Sequence, residues 1–147
     1  MPKINFTSSS NVTITSERVY LSTNNTNVLN NSFESGSGSD FTNWTRNSAN
    51  FERSGVGSCS GGFDYSAYGG PSPVDGTCYA SGYGGIGTPQ FYVDILDSSG
   101  ATLESSSDLY GSITGSFQQF SSNLSSYSGR FIKVRFRVMN PSSLTLD

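Results

Sequence analysis

Catalysis by this chain would have to come from carboxylates, hydroxyls and two cysteines, because its 147 residues include no histidine. Without an imidazole, neither a Ser-His-Asp nor a Cys-His arrangement can be built, and the usual carrier of protons near neutral pH is missing. Paired carboxylates remain, one holding a proton while the other stays ionised. Glu34, Glu52, Asp64, Asp75, Asp94 and Asp97 are available for such a pair, but they are sparse and none stands in a glycosidase-like context. The expectation is a protein that is not an enzyme.

Cys59 and Cys78 lie in the Gly/Ser-rich runs GVGSCSGG and DGTCYASG. A disulfide between them would close a loop of about 20 residues and contribute about 3 kcal/mol through loop entropy. Two reduced thiols fit the sequence equally well. Two cysteines without histidine offer too few ligands for a zinc-type site. Tyr65, Tyr68, Tyr79 and Tyr83 crowd the same stretch. Aromatic rings stack on the apolar face of a sugar, so these four are the candidate ligand-binding residues, although tyrosines are also ordinary strand formers.

The elements that must position these residues read as strands. Hydrophobic residues make up 33% and charged residues 13%, yet aromatics also reach 13%, a combination that suits short strands joined by polar turns rather than disorder. Phe131–Val138 gives the clearest alternation, with Ile132, Val134, Phe136 and Val138 expected inward and Lys133, Arg135 and Arg137 on a solvated outer face. PQFYVDILDSSGATLESS reads as a hairpin turning at Asp97-Ser-Ser-Gly100, with Phe91, Val93 and Ile95 inward. No 3.6-residue apolar period persists, so no long helix is expected. Residues 1–28 read as an N-terminal arm or added strand carrying the alternating stretches NVTIT and RVYLS, and residues 29–147 as the domain proper.

The net charge of −3 and the few scattered cations argue against nucleic acid as a partner. No apolar run approaches 18 residues, so no membrane-spanning helix is expected. The N-terminus lacks the apolar region of a signal peptide. Asn5, Asn11, Asn24, Asn30, Asn43 and Asn123 begin Asn-x-Ser/Thr sequons, which chance alone produces in a chain this rich in those residues.

Three segments carry a family resemblance. Leu29-Asn-Asn-Ser-Phe-Glu34 with a Gly-rich loop and Trp44, Asn123-Leu-Ser-Ser-Tyr-Ser-Gly129 before a basic strand, and the closing Leu144-Thr-Leu-Asp147 occur in that order. Together they resemble the jelly-roll sandwiches of the carbohydrate-binding-module and galactose-binding-like group. The resemblance implies an antiparallel jelly-roll β-sandwich over residues 29–147 and a core position for Trp44. It also implies a structural calcium held by Glu34 and Asp147, with further oxygens from the backbone near Asn31 and residues 36–40. Segment 55–88 matches nothing in that group, so ligand specificity does not carry over.

Two functions follow as expectations. One is a surface subunit of a virion, of the phage capsid decoration or cement kind, bound to capsid protein and to its own copies. The other is an extracellular carbohydrate-binding module or adhesin domain with a glycan as ligand.

Overall fold

The computed structural model describes residues 11–22, 33–48, 51–57, 59–68, 70–83, 88–112, 119, 121–139 and 143–146. Within them the chain is all-β. In chain order the strands are β1 (Asn11–Ser16), β2 (Val19–Tyr20), β3 (Gly36–Ser37), β4 (Asp40–Phe41), β5 (Trp44–Arg46) and β6 (Phe51–Gly55). They continue with β7 (Phe63–Asp64), β8 (Cys78–Tyr83), β9 (Gln90–Asp97), β10 (Thr102–Ser105), β11 (Phe131–Met139) and β12 (Ser143–Leu146). The only helical pieces among the described residues are three-residue 3-10 turns at Ser66–Tyr68, Tyr110–Ser112 and Ser125–Tyr127.

A six-stranded sheet runs β10-β9-β11-β1-β5, with β2 also beside β11, and a four-stranded sheet runs β12-β8-β6-β7. Every pairing is antiparallel except the short parallel contact of β6 with β7. The alternating strand Phe131–Met139 is central, paired with β9 from Ile132↔Asp97 to Met139↔Gln90 and with β1 on its other side. The β9–β10 reversal follows from its turn residues. Asp97 Oδ1 accepts hydrogen bonds from the Ser99 and Ala101 amides at 2.9 and 3.0 Å, and Gly100 takes φ +94°, a left-handed conformation that glycine adopts without a Cβ clash.

The described part of the N-terminal segment forms two strands of the larger sheet. β1 is an interior strand between β11 and β5, and Ile14 is fully buried. Residues 11–20 are therefore built into the larger sheet; residues 1–10 and 23–32, with the expected boundary at residue 29, lie outside the described residues. The register explains why NVTIT and RVYLS read as two pieces. Asn11↔Met139 through Thr15↔Arg135 give way to Val19↔Ile132 and Tyr20↔Phe131, so one extra residue has entered the N-terminal strand. This bulge at residues 16–18 is pinned by the Val134 amide, which donates to Ser16 Oγ at 2.9 Å, and by the Glu17 amide, which donates to the Asn43 carbonyl at 2.8 Å. It changes the parity of the strand. Ile14 and Val19, which strict alternation would send to opposite faces, both end up buried.

Both sheets feed one core of Ile14, Phe41, Trp44, Phe51, Ala80, Phe91 and Val138 with Phe33 from the segment before β3. Trp44 stacks on Phe136 at 5.7 Å between ring centroids and meets Phe33 at 5.1 Å. Phe33 enters the core with φ +59°, a strained conformation for a bulky residue that its burial among aromatic rings sustains.

Candidate functional site

The outer face of the smaller sheet is closed by its own chain. β6 is buried at every residue, β7 flanks it at the sheet edge, and Tyr65 and Gly70 lie against Tyr79. Cys59 and Cys78 form a disulfide that ties the segment before β7 to β8, on the face of β8 that carries Ala80. Arg53, itself buried, donates from Nη1 to the Ser60 carbonyl and from Nη2 to the Glu34 carbonyl, both at 2.7 Å. Glu34 completes the fastening: Oε1 accepts the Thr77 and Cys78 amides at 2.9 and 2.7 Å, and Oε2 accepts the Thr77 hydroxyl at 3.1 Å. Gly76, at φ +65°, brings the chain so close to this carboxylate that a Cβ would collide with it.

This arrangement changes the reading of several candidates. Both oxygens of Glu34 face N–H and O–H donors, the environment of a backbone cap, and Asp147 lies outside the described residues. Among the described residues no three Cys, Asp or Glu side chains gather into a set that could hold a metal ion. Tyr79 is not a surface platform. It is fully buried, with the Tyr65 ring stacked on it at 6.5 Å and Gly70 packed near its hydroxyl. Burial pushes its hydroxyl pKa up, with the nearby Tyr65 and Asp64 adding to the effect. Tyr65 is half-buried and its hydroxyl points to Glu52 Oε1 at 3.5 Å. The Tyr68 and Tyr83 side chains lie outside the described residues. The exposed ring on this face is Phe63, packed edge-on against Tyr65 at 4.7 Å, a residue the sequence alone did not single out.

The outer face of the larger sheet is open. Register places Tyr92 and Asp94 of β9 beside Arg137 and Arg135 of β11, and these beside Thr13 and Thr15 of β1. The expected solvated row of cations is thereby corrected. Asp94 has no exposed surface, and its Oδ2 accepts Arg135 Nε and Arg137 Nε at 2.8 Å each. Its Oδ1 accepts Arg137 Nη2 at 3.0 Å and the Ser105 hydroxyl at 2.7 Å. Burial alone would raise the Asp94 pKa, but the hydrogen bonds from Arg137, Ser105 and Arg135 outweigh it and hold the carboxyl below its ordinary range. The Arg137 guanidinium also lies 4.3 Å over the Tyr92 ring. Two arginines are thus tied to the sheet, and Lys133 stands apart from them.

At the other end of this face, where β2 meets β11, two rings stand in the open. Tyr20 and Phe131 are 50% and 46% exposed and touch edge to face at 5.2 Å. Arg18, released from the ladder by the bulge, lies 5.1 Å over Phe131. The Gly129 amide donates to the Leu21 carbonyl at 2.8 Å, and the Leu21 amide donates to the Arg130 carbonyl at 2.9 Å, so the backbone beneath the cluster is hydrogen-bonded. Such a cluster offers apolar area, guanidinium hydrogen bonds and little side-chain entropy to lose on docking. The alternation of RVYLS and of β11 contained these residues, but only the register brings them together.

No protein-family model matches this chain, no curated protein matches it, and no solved structure matches its fold. The likeness to the carbohydrate-binding-module group therefore rests on the sequence motifs.

Proposed function

We propose that this chain is a non-enzymatic jelly-roll sandwich that serves as a surface subunit of a virion, of the phage capsid decoration or cement kind, acting through contacts with capsid protein and with its own copies. The observation that carries the reading is the exposed Arg18–Phe131–Tyr20 cluster. Single exposed apolar residues are ordinary on any surface. Two half-exposed rings in mutual contact beneath a guanidinium, on hydrogen-bonded strands, have the composition of an interface anchor. The jelly roll is supported by the switches of the chain between sheets from β5 to β6, from β8 to β9 and from β11 to β12. The absence of catalysis is supported by the work the carboxylates already do: Glu34 caps amides, Asp94 binds arginines, and Asp64 and Asp97 hold turns.

A second reading, an extracellular carbohydrate-binding module or adhesin domain, is favoured by the Cys59–Cys78 disulfide, since such bonds persist in oxidising surroundings. Sedimentation of the full chain separates the two. The virion reading expects concentration-dependent oligomers that Tyr20→Ser with Phe131→Ser converts to a folded monomer. A wild-type chain that stays monomeric and binds glycans on an array would replace it with the second reading.

A further inference from the structure

Beside the bulge, on the outer face of the larger sheet, a shallow cup of about 320 Å³ opens between β5, β1 and β11, lined by Thr13, Thr15, Thr45, Arg46, Asn47 and Lys133. We propose that this cup binds a carboxylate, held by the Lys133 ammonium and the threonine hydroxyls. Its volume falls at the lower end of small-molecule sites, which start near roughly 300 Å³. The charge of the ligand follows from the charges already matched. Arg46 gives Nε to Asp40 at 2.7 Å and Nη1 to the Phe51 carbonyl at 3.1 Å. The ion pairs among the described residues are Arg46–Asp40, Arg135–Asp94 and Arg137–Asp94, and none involves Lys133. One unmatched positive charge favours one negative charge; a phosphate, close to doubly charged at neutral pH, would bring an anion without a cation to meet it. The hydroxyls both donate and accept, so they suit the carboxylate oxygens and any polar groups attached to them. The cup lies beside the bulge, which occupies the stretch of ladder between Thr15↔Arg135 and Val19↔Ile132 where Lys133 stands.

The carboxylate can belong to a free acid, such as a sugar acid, or to an acidic side chain of a partner subunit. Backbone-amide NMR titrations of the full chain distinguish the sources, using sodium acetate, sodium glucuronate and a tetraglutamate peptide against sodium chloride at matched ionic strength. Saturable shifts centred on Thr13, Thr15, Thr45 and Lys133 are expected with carboxylates and not with chloride. Lys133→Met should weaken binding about tenfold or more, the loss of one charge-assisted hydrogen bond, while Lys133→Arg keeps most of it. Preference for glucuronate identifies a free sugar acid, and preference for tetraglutamate an acidic segment of a partner. The proposal is overturned by the absence of saturable shifts, by equal shifts with chloride, or by Lys133→Met titrating like the wild type. None of these outcomes depends on Tyr20 or Phe131, so the cup and the aromatic cluster stand or fall separately.

Discussion

Replacing Asp94 by asparagine keeps the volume of the side chain and removes the charge on which Arg135 and Arg137 converge. In the native sheet Asp94 is fully buried, whereas the arginine side chains retain 24% and 19% of their exposure. Breaking a fully buried ion pair typically costs about 3–5 kcal/mol, and hydrogen bonds to charged groups are worth about 1.5–3 kcal/mol. Water can still reach the guanidinium groups here, so the loss should fall near 2–3 kcal/mol, below the fully buried case. For a chain of this size that corresponds to a fall of roughly 5–10 °C in Tm. The pH dependence gives a sharper check. Because the folded-state pKa of Asp94 is depressed, its stabilisation is fully present above the unfolded carboxylate value, about 3.9, and is lost as pH falls through the folded value. The gap between wild type and Asp94→Asn should be widest near neutrality and close in acid. Thermal or urea unfolding across pH measures it. An Asp94→Asn protein as stable as wild type at neutral pH, or a gap that does not narrow in acid, would refute this reasoning.

Phe136→Ala should cost about 3 kcal/mol by opening space between Trp44 and Phe91, while Lys133→Ala leaves the urea midpoint nearly unchanged; equal effects would mean the inward and outward faces of β11 are misassigned. Burial raises the pKa of Glu52 despite the Tyr65 hydrogen bond and the Arg46 charge, so its ionisation opposes folding as pH rises through the folded value. Glu52→Gln should therefore be at least as stable as wild type at neutral pH and lose that advantage below the unfolded glutamate value of about 4.3, as read by Tm against pH. Deleting residues 1–22 should abolish cooperative unfolding in calorimetry, because it removes Ile14 and the strand between β11 and β5; a truncated chain that still melts cooperatively would show that β1 is dispensable.

The parts of the fold legible in the sequence are those where local chemistry and tertiary context agree. The alternation of Phe131–Met139 and the turn chemistry of Asp97 and Gly100 need no knowledge of the rest of the chain. NVTIT and RVYLS each read as alternating stretches, but their sharing of one buried face was hidden because Ile14 and Val19 differ in parity and only a bulge reconciles them. Tyr79 and Asp94 show a different limit. A tyrosine beside glycines reads as a surface ring until another ring is known to stack on it, and an aspartate within an alternating strand reads as an available carboxylate until register sets two arginines next to it. Depth and register are properties of pairs of segments.

The bulge has a consequence for descent as well as for packing. Removing one residue at Glu17 would let strict alternation keep Val19 inward and Tyr20 outward with no bulge, and would draw Arg18 into the ladder directly opposite Lys133. The aromatic pair would survive, but the guanidinium over Phe131 would be moved beside an ammonium of like charge by a change in count alone. Chains that keep a cation over Phe131 should therefore preserve the number of residues between Ile14 and Tyr20, and a lineage that has lost the extra residue should also have lost the charge at one of the positions of Arg18 and Lys133.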